Sequence, residues 1–386
     1  MKKIIFFFLF FAASLWSKNV LAQNSTEVTA KLQVSVLTCA AGEDIYTVWG
    51  HTAVRVIDSI NHTDIVFNYG TFDFNEPNFL AKFVKGSLLY FVSANNYNDF
   101  IAEYKFEQRQ VVEQVLKLST TEKIKWYDAL KINMLAGNRQ YLYNFIEDNC
   151  TTRIKDGLFK NSAFQPVGIQ VPSFRTEVVK APYQQGLPWI GLCIDLLLGA
   201  YSDQKPSDFQ AAFLPTLLHQ QIANTRKLVI ANNALVTVNQ KITSSATTPF
   251  FILVVGLLIY LFASNWNSLI TQRLAKLFDL VLLLAFSLGG SLVFYMSFIS
   301  AHTACYANYN IMWIHPFYLI ALVFYFVKNK VIGKIGLVFF ASTIALIITS
   351  YWLPQHFSKE VWALMATALL LNYRLIEKGR INSLFK

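Results

Sequence analysis

Charged residues are scarce in this chain of 386 residues. They make up 15% of it, whereas apolar residues make up 54%, a share that includes the 15% of residues that are aromatic. A water-soluble globular protein carries roughly 25% charged residues. The composition therefore excludes a protein that is soluble throughout, and the length allows about two domains.

Acidic residues are the rarer charge, and they are nearly absent from the two ends of the chain. Residues 1–23 contain three lysines and no acid, and residues 249–386 contain ten basic and three acidic residues. The segment 24–248 is balanced, with 20 basic and 20 acidic residues. The net charge of +10 thus lies beside apolar runs, where it reports membrane topology. This placement excludes a nucleic-acid-binding protein.

The first 22 residues have the pattern of a secretion signal. Lys2 and Lys3 precede an apolar stretch over 4–15, and small residues end at Ala22, ahead of a cut before Gln23. No cysteine follows that cut, so we do not expect the chain to be a lipoprotein itself. The alternative is an uncleaved membrane anchor. In either case we expect the residues that follow to be exported.

Five apolar runs predict a bundle of transmembrane helices over residues 249–386. The runs lie at 249–263, 277–300, 311–327, 331–352 and 361–375. A helix needs about 20 residues to cross the hydrocarbon core. Nine of the ten basic residues fall in alternate connections, which the positive-inside rule makes cytoplasmic. An odd number of spans then places the domain at 23–248 in the periplasm of a multi-pass inner-membrane protein. Four spans are an alternative, but they would break the agreement with the signal.

Polar residues gather at the outward ends of these predicted spans. Such groups are costly at membrane depth, so they tend to mark a site or a pathway. The alternative is that these residues simply lie at the membrane–water interface, where aromatic side chains are common. The spacing fits no metal motif, and we predict neither a metal nor a cofactor. The predicted substrate-binding residues of this cluster are His302, Asn308, Asn310, Trp313 and His315.

The exported segment has the alternation of an α+β domain. Strands are predicted over 31–39, 53–57, 64–69 and 111–118, with a weaker one over 86–92. A helix is predicted over 122–135, and a second helix is expected to begin near Asp148.

Two short motifs in this domain carry candidate chemistry. Asp148 or Asn149 caps a predicted helix, which places the Cys150 thiol in its first turn, where free N–H groups and the helix dipole stabilise a thiolate. His51 follows Gly50 where a loop enters a strand and would be the base. Asn68 would orient the imidazole, with Asp64 and Asp73 as rivals. From spacing alone, a buried cysteine and an unrelated histidine remain an alternative.

These motifs, taken in order, resemble a known family. Residues 35–56, 66–92 and 147–156 look like the periplasmic domain of the Lnb-type lipoprotein N-acyltransferases of Bacteroidota, and residues 301–319 look like that family's five-helix membrane domain. The resemblance implies a permuted papain-like (NlpC-type) thiol fold followed by an all-α transmembrane bundle. It also implies that Cys150 and His51 are catalytic.

The function implied by this resemblance is acyl transfer between membrane lipids and lipoproteins. A phospholipid would give its acyl chain to Cys150 as a thioester, and the free α-amine of a diacylglyceryl-cysteine would accept it. Oxyanion binding is expected from N–H groups near the start of the Cys150 helix. Further substrate-binding candidates are Trp49, Tyr69, Asn149 and Arg153.

Other functions stay open at this point. They are a cysteine peptidase or amidase acting on cell-wall peptides, a non-catalytic membrane sensor, and an acyl shift within one lipoprotein. Arg153 could equally belong to a solvated helix face. Cys39 and Cys193 could form a disulfide or remain free thiols.

Overall fold

The structure, a computed structural model, describes residues 32–238, 248–327 and 330–384. The predicted signal peptide at 1–22 lies outside these residues. The described chain forms a domain built on one sheet (the sheet domain, 32–238) and a domain of helices (the helical domain, from 248 on). This confirms the predicted order of an α+β domain followed by an α-helical region.

Seven described strands form one sheet in which every neighbouring pair is antiparallel, in the order β6-β4-β3-β2-β1-β5-β7. The strands are β1 Leu32–Cys39, β2 His51–Asp58, β3 Thr63–Thr71, β4 Leu89–Asn96, β5 Val111–Leu116, β6 Gln140–Leu142 and β7 Val229–Val236.

Four of the predicted strands are confirmed, and the weak one begins later than expected. The apolar–polar alternation identifies β1, β2, β3 and β5, although their buried residues pack into cores on both faces of the sheet. The strand predicted over 86–92 begins at Leu89 instead. Gly86 has a φ of 76° and ends the preceding helix, so the chain is not extended there.

Seven described helices belong to the sheet domain: α1 Phe79–Lys85, α2 Tyr97–Phe106, α3 Thr120–Asn133, α4 Cys150–Asn161, α5 Phe174–Gln184, α6 Pro188–Leu197 and α7 Pro215–Asn224. A capping box of Ser119 and Glu122 begins α3 two residues before the predicted helix. Ile154 and Leu158, on the inner face of α4, are buried in the main core with strand residues such as Val54 and Phe67. This packing fixes the start of α4 against the sheet.

The helical domain contains five described helices, one for each predicted apolar run. They are α8 Pro249–Asn265, α9 Leu269–Phe298, α10 Tyr318–Tyr325, α11 Val331–Thr349 and α12 Lys359–Leu384. By length and composition, α9 and α11 are long and apolar enough to cross a membrane, while α8 is a shorter apolar helix.

The third predicted run differs most from its expectation. A short 3₁₀ helix (Tyr309–Met312) comes first, and α10 has only eight residues, about 12 Å at 1.5 Å per residue. Pro316 precedes α10 and has no N–H to donate, so the helix cannot continue through it from Ile311.

One buried acidic residue ties four of these helices together. Asp279 of α9 is 3% exposed and accepts two hydrogen bonds from the guanidinium of Arg374 in α12, at 2.7 and 2.8 Å. The hydroxyls of Tyr260 in α8 and Tyr325 in α10 donate to the same carboxylate. A charge buried among apolar helices needs such partners to be tolerated.

Candidate active site

Asn149 sets the start of α4 and therefore the position of the Cys150 thiol. Its Oδ1 accepts hydrogen bonds from the N–H groups of Thr151 and Thr152, at 2.8 and 2.9 Å. Its Nδ2 donates to the carbonyl oxygens of Phe145 and Phe213, and the residue is only 3% exposed. Asn149, rather than Asp148, is thus the cap, and Cys150 is the first residue of the helix.

His51 is the first residue of β2, and Gly50 lies in the turn immediately before it. Gly50 has a φ of 79°, in the left-handed region that glycine tolerates, and a Cβ at this position would lie 2.5 Å from the Cys39 carbonyl oxygen. In the sheet, His51 is paired with Cys39 at the end of β1. The imidazole is therefore held at the edge where β2 meets the start of α4.

Cys150 and His51 lie close enough to shift each other's pKa, and the hydroxyls of the residues that follow them, Thr52 and Thr151, lie 3.0 Å apart. Burial by itself raises the pKa of the Cys150 thiol, but the charge and hydrogen bond of His51 and a backbone hydrogen bond from Thr52 outweigh it and lower that pKa. Burial likewise opposes charging of His51, yet the nearby Cys150 and the hydrogen bond with Asn68 raise the pKa of the imidazole. The pair is thus tuned toward a thiolate beside an imidazolium.

Asn68 of β3 holds the far side of the imidazole. Its Oδ1 lies 3.2 Å from His51 Nε2, and its Nδ2 donates to Asn95 Oδ1, also at 3.2 Å. The bond to Asn95 turns the Asn68 oxygen toward the ring, where it can accept a hydrogen bond from a protonated Nε2.

The two rivals of Asn68 have other partners. Asp64 forms a two-point ion pair with Arg55, at 2.8 and 2.6 Å. Asp73 accepts hydrogen bonds from Asn75 in its own turn. In the part of the chain that the structure describes, Asn68 is the one of the three that contacts His51.

Comparison with family models matches both domains of the chain. Residues 22–170 match the Lnb N-terminal periplasmic domain, and residues 241–378 match the Lnb transmembrane domain. The two matches together cover most of the chain and follow in the order that the resemblance implied. The chain belongs to the Lnb family. It is accordingly a membrane protein with a periplasmic part. Comparisons with curated proteins and with solved structures give no match.

Three other predicted site residues of this Lnb-type chain lie around the start of α4. Trp49 donates from Nε1 to the Val178 carbonyl at 2.9 Å and packs on Phe145. Tyr69 is 4% exposed, and its hydroxyl accepts a hydrogen bond from Asn133. Both polar groups of Asn149 are occupied by the protein, so its predicted substrate contact would require one of those bonds to be given up.

Arg153, the remaining candidate on α4, is also held by the protein. Its guanidinium makes a two-point ion pair with Asp148 and lies over the Tyr141 ring, 3.5 Å from the centroid. It borders a polar cavity of about 470 Å³ that Tyr69, Asn133, Glu147 and Lys160 also line. Its contact with a substrate stays a prediction.

The outward polar cluster lies where the two domains join. Asn308 and Asn310 donate to backbone carbonyls at the end of α6, and Trp313 donates to Asn310 Oδ1. His302 Nε2 lies 2.8 Å from the Phe83 carbonyl of α1, and His315 Nε2 lies 2.8 Å from Ser342 Oγ. The bonds of His302, Asn308 and Asn310 connect the sheet domain to the helical domain, whereas those of Trp313 and His315 lie within the helical domain. The substrate-binding role of the five residues stays a prediction.

Several neighbours of Cys150 were not identified from the sequence. Thr52 supplies a backbone hydrogen bond to the sulfur, and its hydroxyl lies 3.0 Å from that of Thr151. A Cβ at Gly70 would lie 3.4 Å from the Cys150 Cβ and 3.8 Å from the Tyr143 ring. No local pattern marks these residues, because β2, β3 and α4 bring them together only in the folded domain.

The cysteines other than Cys150 are also free thiols in the described structure. Cys39 and Cys193 are both free thiols, the first buried and the second exposed on α6. Burial raises the pKa of Cys39 to about 12, so it is an unreactive neighbour of His51. Among the described residues, no group of three or more histidine, cysteine or acidic side chains is placed to hold a metal ion.

Proposed function

We propose that this chain is a membrane-bound acyltransferase of lipoprotein biosynthesis. It would move an acyl chain from a phospholipid, through a thioester on Cys150, to the α-amine of an N-terminal diacylglyceryl-cysteine. The observation that carries the proposal is the contact of a helix-capped thiol of lowered pKa with the His51 imidazole. Membership of the Lnb family supplies the substrate class.

The first half-reaction forms the thioester. The Cys150 thiolate attacks the ester carbonyl of the phospholipid, a C–S bond forms, and the ester C–O bond breaks. The imidazolium of His51 gives its proton to the departing alkoxide, which leaves as the hydroxyl of a lysophospholipid. We assign the Cys150 N–H to the developing oxyanion, because it is the first helical N–H and the next two already donate to Asn149.

The second half-reaction releases the product. The neutral α-amine of the lipoprotein cysteine attacks the thioester, a C–N bond forms, and the C–S bond breaks. His51, now neutral, takes the proton that the amine loses, and Cys150 returns as a thiolate. The products are an N-acylated lipoprotein and the enzyme in its starting state, so no further reactant is needed.

The proposed placement follows the two family domains. A signal peptide at 1–22 would export the thiol domain at 23–248, which would have a permuted papain-like fold with His51 preceding Cys150. A five-helix bundle at 249–386 would hold that domain on the periplasmic face of the inner membrane. Both substrates are lipids with their reactive groups near that face, which suits an active site at this level.

Replacement of the thiol tests the proposal directly. We expect Cys150→Ser to leave lipoproteins with a free α-amine, and mass spectrometry of a lipoprotein N-terminal peptide would show the loss of one acyl chain. Cys193→Ser is the matched control, because its thiol is exposed on α6 and should not matter. Normal N-acylation in the Cys150→Ser strain would contradict the proposal.

The mass of the product separates the proposal from its alternatives. Transfer from a phospholipid gives a triacylated lipoprotein, whereas a shift within one lipoprotein gives a lyso form of unchanged acyl number. A peptidase would instead cleave muropeptides, and a sensor would tolerate loss of both Cys150 and His51.

A further inference from the structure

An open apolar groove lies between α1 of the sheet domain and the outward half of α9. It has a volume of about 720 Å³. No charged side chain lines it, and it carries little polar surface. Its lining residues are Asn78, Phe79, Leu80, Ala81 and Val84 from α1, with Leu292 and Tyr295 from α9.

One end of the groove is continuous with the surface of the membrane helix. Leu292 is 43% exposed, and Leu288, one turn before it on α9, is 64% exposed. Leu80, on the α1 side, is 70% exposed. Large apolar side chains that stay exposed on a helix long enough to span the membrane face lipid tails. The groove therefore opens toward the hydrocarbon rather than toward water.

The other end leads into the sheet domain along a row of aromatic rings. Phe79 of the groove packs on Phe72, with 5.8 Å between ring centroids. Phe72 packs on Tyr90 at 5.3 Å, and Tyr90 stacks on Tyr143 at 4.4 Å. The row consists of packed rings, with Tyr90 only 8% exposed, and links the groove to the core of the sheet domain.

This row ends beside the reactive sulfur. A Cβ at Gly70 would lie within 3.8 Å of the Tyr143 ring and 3.4 Å of the Cys150 Cβ. Gly70 has a φ of 86°, and the missing side chain lets Cys150 and Tyr143 approach the same point of the backbone. A chain of packed aromatic side chains consequently connects the groove with the backbone beside the thiol.

We propose that this groove holds the acyl chain of the phospholipid donor and guides its ester to Cys150. The inference rests on the proposed acyl transfer and names the surface that delivers its first substrate. An acyl chain suits a groove without charged lining, because its transfer from the bilayer into an apolar surface costs no desolvation of a charge. The contacts between His302 and Phe83 and between Ala301 and Lys85 hold α1 against the outward end of α9, so the groove is preformed.

Filling the groove in the full-length protein tests this proposal. Ala81→Trp and Leu292→Trp would occupy the space of the acyl chain, and Leu277→Trp is the matched control on the same helix, 57% exposed and remote from the groove. The reaction is followed in phosphatidylethanolamine nanodiscs as acylation of Cys150, by mass spectrometry of the intact protein. We expect the groove variants to slow acylation about tenfold or more and the control to match the unmodified protein.

A soluble short-chain ester shows whether such variants damage the active site itself. Acylation of Cys150 by p-nitrophenyl acetate needs no groove, so it should stay within about twofold in all three variants. Unchanged acylation from the phospholipid in Ala81→Trp and Leu292→Trp would overturn the proposal. Equal losses with both donors would also overturn it, because the loss would then come from the site.

Photo-crosslinking separates a failure of this inference from a failure of the proposed acyl transfer. A phosphatidylethanolamine with a diazirine in its acyl chain should label residues 79–84 and 292–295, in the unmodified protein and in Cys150→Ala alike. Labelling there without any acylated Cys150 would refute the acyl transfer and keep the groove as a lipid site. Absence of label from both segments would refute the groove.

Discussion

The Nε2 atom of His51 lies 3.2 Å from Oδ1 of Asn68, one strand away in the sheet. The two residues share a face because Asn68 pairs with Ala53, two residues after His51 in β2. The Asn68 amide nitrogen donates a hydrogen bond to Asn95 Oδ1, which leaves the amide oxygen of Asn68 facing the ring. We accordingly expect Asn68 to be a positioning residue, since its side chain contacts the imidazole and Asn95.

Loss of this positioning contact should reduce catalysis without removing it. We expect Asn68→Ala to lower kcat by on the order of 10²-fold, the cost of misplacing a catalytic group by about 1 Å. KM for both substrates should change little, because Asn68 does not touch them. Asn95→Ala should have a smaller effect in the same direction, since it acts on the ring through Asn68. A raised KM with an unchanged kcat would assign Asn68 to substrate binding instead.

The pH dependence of Cys150 should report its ion pair with His51. The charge of His51 lowers the pKa of Cys150, and the charge of Cys150 raises the pKa of His51, so each group favours the charged form of the other. Alkylation of Cys150 by iodoacetamide should therefore have its midpoint below 9.0, the ordinary pKa of a thiol. Mass spectrometry of the modified peptide gives the rate at each pH.

Removal of His51 should move that midpoint in the opposite direction. In His51→Ala only burial and the weaker hydrogen bonds remain, and burial raises the thiol pKa, so the midpoint should rise. Cys193 is an internal reference in the same sample, since its raised pKa should keep it slow near neutral pH in both proteins. A Cys150 midpoint that does not respond to His51→Ala would contradict the ion pair.

Gly50 should be sensitive to the addition of a single methyl group. Its φ of 79° and the 2.5 Å approach of a Cβ to the Cys39 carbonyl predict a loss of about 1–3 kcal/mol of unfolding free energy for Gly50→Ala. Activity should fall as well, because His51 is the next residue. Gly137→Ala is the control, since nothing lies within 4 Å of a Cβ there. Equal thermal stability of the two variants would argue against strain at Gly50.

Asn308 tests whether the outward cluster joins the domains or binds substrate. Asn308→Ala removes the hydrogen bonds to the Leu196 and Leu197 carbonyls, which should weaken this joint by about 1–3 kcal/mol. Hydrogen exchange in α6 should become faster while KM for the lipoprotein is unchanged. Asn265→Ala, which loses only a bond within its own helix, is the control. A raised KM with unchanged exchange would instead support a substrate-binding role.

Local patterns in the sequence were sufficient for only part of this protein, since they predicted β1, β2, β3, β5, α3 and the start of α4 but not β6 or β7. The apolar residues of the predicted strands are buried in cores on both faces of the sheet, and the apolar runs reflect helices among lipids or other helices. The cap before Cys150 was also readable, since capping depends on neighbouring residues. The break at Pro316 shows the limit of composition, because a run apolar throughout need not be one helix.

Only the tertiary structure decided which of these elements meet. His51 and Cys150 are 99 positions apart, and their contact depends on the register of β2 and on the packing of α4 against it. The choice of Asn68 over Asp64 depends on strand register, which pairs Asn68 with Ala53 near His51 but pairs Asp64 with Ile57 farther along β2, where Arg55 binds its carboxylate. Sheet register and ion-pair partners are long-range properties, so a sequence determines them only through the whole fold. The groove between α1 and α9 arises in the same way, from the docking of two domains.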